Sequence, residues 1–198
     1  MKEYIIKRID GALNWDKVDV AAIDTAMWLP NPDICAKAQL AWDDEALYVR
    51  LSAKEAHIRA ENISPLGMPC EDSCLEFFFS PLAGDPRYFN IEYNPKACIF
   101  LGLGYNRYEY VRLLADGYDF KPEPKYTADG WEICYRVPFA FVRLFFPAFQ
   151  PASGTKMLGN FYKCGDLTPQ EHYLVWNPLT TEKPDFHRPC DFATLRFE

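Results

Sequence analysis

Three polar residues, Glu76, Asn90 and Glu92, interrupt two strongly apolar segments and have side chains suited to binding or catalysis. Carboxylate and amide groups accept and donate hydrogen bonds in the directions that the hydroxyl groups of a sugar require. Two carboxylates about 5 Å or about 6.5–9.5 Å apart are also the arrangement that glycoside hydrolases use. Polar residues in such a row equally occur on a sheet face that contacts only water. The row therefore predicts sugar binding, acid–base chemistry or a solvated surface.

The strand that would position Glu76 lies within the segment Glu71–Pro81, EDSCLEFFFSP. Successive side chains of a strand alternate between its two faces, which predicts an apolar core face and a second face that carries Glu76. The core face would hold Leu75, Phe77 and Phe79, and the second face Cys74, Glu76 and Phe78. A charged residue in mid-strand costs free energy unless it is solvated or paired. The second face is therefore predicted to be open to water or to a ligand.

The segment Tyr88–Asn94, YFNIEYN, repeats this alternation. Its core residues would be Phe89, Ile91 and Tyr93, and its polar residues Asn90, Glu92 and Asn94. If the two segments pair in one sheet, Glu76 joins the polar row, and the polar face of that sheet becomes the candidate site.

The composition of the 198-residue chain is that of a soluble domain with a substantial core, and we predict a single domain over residues 1–198. The net charge of −7 argues against nucleic-acid and anionic-membrane partners, which require a basic surface. No apolar run approaches the roughly 20 residues that span a bilayer. The N-terminus lacks the apolar region of a signal peptide, which predicts a cytoplasmic protein, or an extracellular one if a signal segment has been removed.

Aromatic residues make up 16% of the chain and there are 16 prolines, a composition typical of short strands and loops. A hairpin is predicted from Cys35–Trp42 and Ala46–Ala53. Further strands are predicted at Ala97–Leu103, Val111–Leu114, Trp131–Val137, Leu158–Lys163, Glu171–Trp176 and Thr194–Phe197, and one helix from Pro138 to before Pro147. This pattern predicts an all-β, single-domain antiparallel β-sandwich, jelly-roll or immunoglobulin-like, with one short helix.

The seven cysteines are odd in number and irregularly spaced, which favours free thiols in a reducing compartment. Cys70 and Cys74 are four residues apart, but no second pair at a matching distance follows them and the three histidines are scattered. The spacing therefore predicts no zinc site. The acidic run 43–45 has oxygen atoms suited to calcium, although a plain turn is the simpler interpretation.

Two features near the C-terminus have alternative interpretations. Trp176, in the sequence VWNP, would either offer a flat apolar ring to a sugar or fill the core. Arg188, in PDFHRP, would hold the last strand in place by pairing with Asp185 or Asp191, and this indicates a structural role.

These motifs together resemble those of a known family. EDSCLEFFFSP, YFNIEYN, the Trp131–Pro138 strand that leads into the helix, GNFYKCGD, VWNP and EKPDFHRPCDFATLRFE are similar to the family 9 carbohydrate-binding modules, and more closely to their stand-alone bacterial relatives. The resemblance covers nearly the whole chain. It implies a β-sandwich related to the DOMON group, in which two aromatic rings enclose a mono- or disaccharide and a polar sheet face binds it. No cofactor is implied beyond structural calcium.

Carried over by position, the resemblance places Glu76 at the family's binding carboxylate and Trp176 at one aromatic wall. Asn90 falls near an arginine that binds sugar in some members, and Glu92 near an asparagine. The other wall departs from the family, since Cys70 or Met68 stands where a tryptophan precedes the carboxylate. Losing a ring of this kind removes about 1–3 kcal/mol of stacking, by analogy with base stacking. Tyr88, Tyr105 and Tyr108 are the candidates to replace it.

The sequence thus predicts non-catalytic binding of a mono- or oligosaccharide through Glu76, Asn90, Glu92 and Trp176, and leaves the oligomeric state open. A glycoside hydrolase or other sugar-modifying enzyme is the alternative, and two carboxylates in one pocket, one with a strongly raised pKa, would indicate it. A third possibility is a degenerate module that contacts protein, which an exposed apolar patch at residues 105–110 without a pocket at Glu76 would indicate.

Overall fold

The computed structural model describes residues 2–198, which form short strands, one α-helix and three single-turn 3-10 helices. The strands are β1 (Glu3–Arg8), β2 (Ala21–Ile23), β3 (Thr25–Ala26), β4 (Cys35–Trp42), β5 (Ala46–Lys54), β6 (Cys74–Ser80), β7 (Tyr88–Tyr93), β8 (Ile99–Gly104), β9 (Tyr110–Leu113), β10 (Glu123–Tyr126), β11 (Gly130–Pro138), β12 (Lys156–Cys164), β13 (Tyr173–Val175) and β14 (Ala193–Phe197). The helices are α1 (Phe139–Phe145) and the 3-10 turns Trp15–Lys17, Pro69–Glu71 and Pro189–Asp191. Within residues 2–198, no helix is long and apolar enough to cross a membrane.

Two sheets share strand β1. The first sheet runs in the order β1-β14-β12-β6-β7-β8-β9, with β13 and β3 beside the end of β12. The second runs β1-β4-β5-β11-β10, with β2 beside β4. These sheets confirm the predicted all-β sandwich. The strands pair antiparallel, as predicted, except at β1, which is parallel to both β14 and β4 at the edge that the two sheets share.

The longer predicted elements are confirmed, and the missed elements are short. The hairpin β4–β5 and helix α1 begin within a residue of their predicted positions. Strand β10 lies partly in the segment Lys121–Pro124 that the prolines indicated as a loop. This edge strand tolerates Pro124 because a strand with only one neighbour can leave a backbone position without a ladder hydrogen bond.

The main core lies between the two sheets and contains the predicted inner faces of β6 and β7. The ring of Phe77 stacks on Phe79 at 4.8 Å and on Phe161 at 5.0 Å. Helix α1 closes one part of this core, since Phe141 contacts Phe89 at 5.3 Å. The period-two alternation of β6 and β7 therefore identified the core side chains correctly.

The outer face of β6 is covered, contrary to the prediction that it is open. Cys74 and Phe78 on this face belong to a second buried cluster, which the segment 179–192 covers. Phe186 from that segment stacks on Tyr162 of β12 at 4.3 Å and 11°. The face is apolar except near Glu76, so burying it gains the hydrophobic free energy that favours this covering. Access to Glu76 is thereby confined to a cavity.

Candidate functional site

A row of side chains crosses four adjacent strands on the outer face of the first sheet. Tyr162 of β12 is the register partner of Glu76 of β6, Glu76 is opposite Glu92 of β7, and Glu92 is opposite Phe100 of β8. Side chains directly opposite each other on paired strands have Cβ atoms about 4.5–5.5 Å apart. The two strands thus meet the condition for a single polar row, and their pairing places the carboxylates of Glu76 and Glu92 side by side.

Glu76 and Glu92 line a cavity of about 200 Å³ that opens on the outer face of this sheet. Its charged lining consists of Glu76, Glu92, Asp166, Asp185 and Arg107. Its aromatic lining consists of Trp28, Phe100, Tyr110, Tyr173 and Phe186, together with the His187 ring. Four carboxylates face one guanidinium, so the cavity favours a neutral ligand with many hydroxyl groups, or a cation, over an anion.

The carboxylates of the floor have few hydrogen-bond donors within residues 2–198. Glu76 accepts one bond, from Cys164 Sγ at 2.9 Å to Oε1, and Glu92 accepts one, from Asn90 Nδ2 at 2.9 Å to Oε1. Glu76 and Glu92 are only 2% and 5% exposed, so solvent reaches their remaining oxygen atoms only through the cavity. A ligand that brings hydroxyl donors would satisfy the remaining oxygen atoms.

Burial raises the pKa of both glutamates. The pKa of Glu76 is well above its ordinary range because of desolvation and the neighbouring charge of Glu92. Desolvation raises the pKa of Glu92 to about 7, against the hydrogen bond from Asn90. Desolvation also raises the pKa of Asp166. Near neutral pH the pair therefore retains at least part of one proton, since two adjacent buried carboxylates do not both ionise readily.

We expect Glu92→Gln to stabilise the ligand-free protein at pH 8 but not at pH 4. The folded pKa of Glu92 lies above the value of 4.5 for an ordinary glutamate, so stability is lost as the pH rises from about 4.5 to about 7. Glutamine avoids this loss and still accepts the hydrogen bond from Asn90. The gain at pH 8 should be about 3 kcal/mol, from 1.36 kcal/mol per pH unit between 4.5 and about 7. Urea unfolding at the two pH values measures it, and equal effects at both would contradict the assignment.

Asn90 lies behind Glu92 and is not part of the cavity wall. It is 2% exposed and its amide is bound to Glu92, so it positions this carboxylate. Gly102, its register partner on β8, leaves the space for it. A Cβ atom on Gly102 would come within 2.0 Å of Asn90 Oδ1. Asn90 was predicted to contact the ligand directly. In the structure it acts on the cavity only indirectly, by holding the carboxylate of Glu92.

Gly102→Ala is expected to destabilise the protein by about 1–3 kcal/mol, the usual cost of overpacking a buried site. The added methyl group would displace the amide of Asn90. The double variant Gly102→Ala/Asn90→Ala removes the clash and should recover most of the stability lost in Gly102→Ala. Thermal unfolding of the two variants and of Asn90→Ala alone provides the comparison. If the double variant is no more stable than Gly102→Ala, another contact, such as the Phe100 ring, causes the loss of stability.

The aromatic residues of the cavity wall come from two sides. Trp28 contacts Tyr173 at 5.5 Å and Phe186 at 5.7 Å on the β3–β13 side. Phe100 contacts Tyr110 at 5.8 Å on the β8–β9 side. Aromatic rings on both sides of a polar floor are suited to the apolar C–H faces of a sugar ring.

Trp176 does not belong to this wall. It is 5% exposed within the main core, with its ring 5.4 Å from Phe161 and 6.3 Å from Tyr4. The alternation of β13 explains the difference, because Tyr173 points to the outer face and Leu174 and Trp176 to the core. The structure thus does not bring Trp176 to the cavity with Glu76. The alternation of faces along EHYLVW, rather than ring size, would have identified Tyr173 as the residue that faces the cavity.

The second aromatic wall was expected to lack its tryptophan. In the structure, Met68 and Cys70, which precede Glu76 in the sequence, line the cavity. None of the three tyrosines proposed as substitutes lines the cavity. Tyr88 is buried and its hydroxyl bonds His187 Nδ1 at 2.7 Å, while Tyr105 and Tyr108 are exposed.

Two segments form the rim of the cavity through fixed contacts. Asp72 is fully buried and accepts hydrogen bonds from the backbone amides of Glu61 and Asn62, at 3.0 and 2.9 Å, and from Asn94 Nδ2 at 2.8 Å. Arg188 pairs with Asp191 at 3.7 Å, one of its two predicted partners. These contacts hold the segments that precede β6 and β14 in place. The second segment also contributes Phe186 and His187 to the cavity, which no pattern in the sequence indicated.

A buried ionic network lies beneath the floor, on the inner side of β12. Lys163 Nζ donates to His172 Nε2 at 2.7 Å and lies 3.2 Å from Glu55 Oε2. Glu55 also accepts from Trp131 Nε1 at 2.6 Å and from Ser73 Oγ at 2.9 Å. Burial and Lys163 lower the pKa of His172 to about 4, which keeps its ring neutral. The network joins residues of both sheets under the site.

The acidic run 43–45 does not fit a calcium site. Asp43 Oδ1 accepts the backbone amides of Glu45 and Ala46, at 2.8 and 2.9 Å, and its Oδ2 accepts the Tyr48 hydroxyl at 2.8 Å. Asp44 pairs with Arg8 at 2.9 Å. The carboxylates are thus occupied by protein donors in a turn, whereas calcium requires six to eight oxygen ligands. Structural calcium elsewhere in the chain stays a prediction.

Comparison with known proteins gives one family and several related structures. The family model described as carbohydrate-binding family 9 matches residues 7–197. A crystal structure of a proposed carbohydrate-binding protein from Bacteroides uniformis is 26% identical, with a TM-score of 0.85 over 100% of this chain and 99% of that chain. A search of curated proteins finds no match.

Two further solved structures share the fold. Both are family 9 carbohydrate-binding modules from Caldicellulosiruptor kristjanssonii, one in complex with glucose and one with cellotriose. The glucose complex is 17% identical with a TM-score of 0.70, and the cellotriose complex 15% identical with a TM-score of 0.69. Each match covers 100% of this chain, and 96% and 94% of the respective chains.

Proposed function

The chain belongs to carbohydrate-binding family 9, and on that premise we propose that the cavity with Glu76 and Glu92 at its floor binds a mono- or oligosaccharide. The observation that carries this proposal is the combination in one cavity of acceptor-rich carboxylates and aromatic rings on two sides. Hydroxyl groups of a sugar would donate to the carboxylates, and the rings would cover its C–H faces. Glu76 retains the role predicted for it, and Tyr173 with Trp28 takes the place proposed for Trp176.

The size and charge of the cavity define the kind of sugar. A volume of about 200 Å³ is below the range of about 300–1,000 Å³ for drug-sized ligands. This favours a monosaccharide or the terminal residue of a longer chain. The four carboxylates disfavour sugar phosphates and uronic acids, which would place like charges together. Glucose and cellotriose, the ligands in the two Caldicellulosiruptor complexes, are therefore suitable first probes.

Isothermal titration calorimetry with glucose, cellobiose, cellotriose, other neutral mono- and disaccharides and glucose 6-phosphate tests the proposal. We expect at least one neutral sugar to bind and the phosphate to bind at least tenfold more weakly. If no neutral sugar binds at millimolar concentration, the proposal is wrong and the likeness is one of fold alone.

The paired carboxylates also favour a second candidate, a glycoside hydrolase. Glu76 and Glu92 face one cavity and both have raised pKa values, the feature that would indicate acid–base chemistry. Such an enzyme also needs its second carboxylate to stay ionised as nucleophile or base. Burial raises the pKa of both groups here, so we propose binding without catalysis. Release of nitrophenol from nitrophenyl glucosides and cello-oligosides, lost in Glu92→Gln, would instead establish the enzyme.

The cellular setting that we propose is a reducing one. All seven cysteines are free, including Cys74 and Cys164 on adjacent strands. Free thiols in this number support the predicted cytoplasmic location, where the ligand would be a small imported sugar.

A further inference from the structure

We propose that Cys74, Glu76 and Cys164 form a binding site for a thiophilic divalent cation of the zinc class at the floor of the cavity. The two sulfur atoms and a carboxylate oxygen all lie within 4.8 Å of one another. Cys164 Sγ and Glu76 Oε1 are 2.9 Å apart. This site is a different function from sugar binding, although the two share Glu76.

The pairing of two strands creates the cluster. Cys74 of β6 and Cys164 of β12 are direct register partners, and Glu76 is two residues after Cys74 on the same face. Both strands have neighbours on each side, so the backbone that carries the three ligands is fixed. A site built on paired interior strands is more precisely organised than one on loops.

The ligand types select the metal. Zinc binds thiolates at about 2.3 Å and carboxylates at about 2.0–2.2 Å in a tetrahedron. Two such ligand atoms are about 3–4 Å apart, so small side-chain rotations would close the cluster around an ion. Calcium and magnesium prefer six or more oxygen ligands. Two sulfur atoms with one carboxylate therefore favour zinc, or its spectroscopic substitute cobalt(II), over those ions.

The surroundings of the cluster support an occupant. Glu76 is 2% exposed, and its Oε2 atom has no hydrogen-bond donor within residues 2–198. A divalent ion would replace the protons of the two thiols and would also be held by the carboxylate of Glu76. Cys74 and Cys164 are both buried, and neither forms a disulfide.

The cluster also has an entry path and room for a fourth ligand. Glu76 and Cys164 line the cavity, so an ion reaches the cluster through it. A water molecule or a ligand atom that enters through the cavity would complete the tetrahedron. Three protein ligands and one open position is the arrangement found in zinc sites that bind a further ligand.

The test uses the full-length, reduced, metal-free protein and cobalt(II) as the first probe. One equivalent should produce the near-ultraviolet absorption of thiolate-to-cobalt charge transfer, with the intense visible bands of tetrahedral cobalt. Zinc affinity is then measured by competition with a chromogenic chelator. Cys74→Ser and Cys164→Ser should each weaken zinc binding by at least about 100-fold, since second-shell changes alone cost 10–100-fold.

The control variants separate this site from adventitious thiol binding. Cys98→Ser removes another buried thiol, and Cys35→Ser and Cys190→Ser remove exposed ones, so all three should leave zinc affinity unchanged. Glu76→Gln keeps both thiols and should retain the charge-transfer band while altering the visible bands. Zinc should also raise the unfolding temperature of the wild type but not of Cys164→Ser, which reports on binding even if the variant is less stable.

Absence of the charge-transfer band in the wild type, or a zinc affinity that follows Cys35 or Cys190, would overturn the proposal. These measurements contain no sugar. Failure of the metal site is therefore distinguishable from failure of the sugar site.

Discussion

Glu76→Ala should reduce affinity for the best sugar ligand by at least about 100-fold. The carboxylate of Glu76 lines the cavity and accepts one hydrogen bond from residues 2–198. A hydrogen bond contributes about 0.5–1.5 kcal/mol, or about 1.5–3 kcal/mol when one group is charged, and the carboxyl group of Glu76 can make two with a sugar. Loss of about 3 kcal/mol corresponds to about 100-fold in affinity. Titration calorimetry of wild type and variant measures the change.

The matched control is Glu123→Ala, which removes an exposed glutamate on β10, at the far edge of the second sheet. This variant should bind sugar as the wild type does. Glu76→Ala is expected to fold, because it removes a buried acid whose pKa is strongly raised by its environment. A folded Glu76→Ala protein with unchanged sugar affinity would show that the ligand binds elsewhere.

Lys163→Met should lower the free energy of unfolding by about 3–5 kcal/mol. Lys163 is fully buried and its ammonium group bonds His172 and the carbonyl of Cys164 and pairs with Glu55. Removing one member of a buried ion pair leaves the other charge desolvated, here the carboxylate of Glu55. Methionine is similar in length, so loss of the ammonium group rather than an empty volume causes the effect. Urea unfolding, with the slope checked for two-state behaviour, gives the value.

Lys54→Met provides the comparison on the surface. Lys54 is 64% exposed in its side chain and pairs with Asp129 at 2.5 Å. Exposed pairs contribute about 0–1 kcal/mol, so this variant should be nearly neutral. If Lys163→Met costs no more than Lys54→Met, the buried network does not stabilise the junction of the two sheets.

The local alternation of residues determined much of the candidate site. In β6 and β7 every second side chain is large and apolar, so the core faces and the position of Glu76 and Glu92 on the opposite face followed from the sequence. Their pairing was expected because two consecutive strands with a short connection are usually neighbours. The family resemblance, confirmed by the match over residues 7–197, rests on the same segments.

The pairing of short strands decides which aromatic residues line the cavity. Trp176 is the largest ring in its segment, yet the three-residue strand β13 places it in the core and Tyr173 at the cavity. Trp28 joins Tyr173 because β3 pairs with β13, two elements almost 150 residues apart. Such short strands have no periodicity of their own, so their register is decided by the sheet to which they bind.

The sequence by itself determined the sandwich, its core faces and the two carboxylates, because these follow from a period of two within single strands. Only the tertiary structure decided what surrounds those carboxylates. The segment 179–192 covers their face, and the register of β6 with β12 brings Cys164 to Cys74 and Glu76. Spacing in the sequence did not indicate a zinc site, whereas the paired strands assemble candidate ligands from residues 90 positions apart. Contacts between distant segments depend on the burial of both partners at once, which no local pattern records.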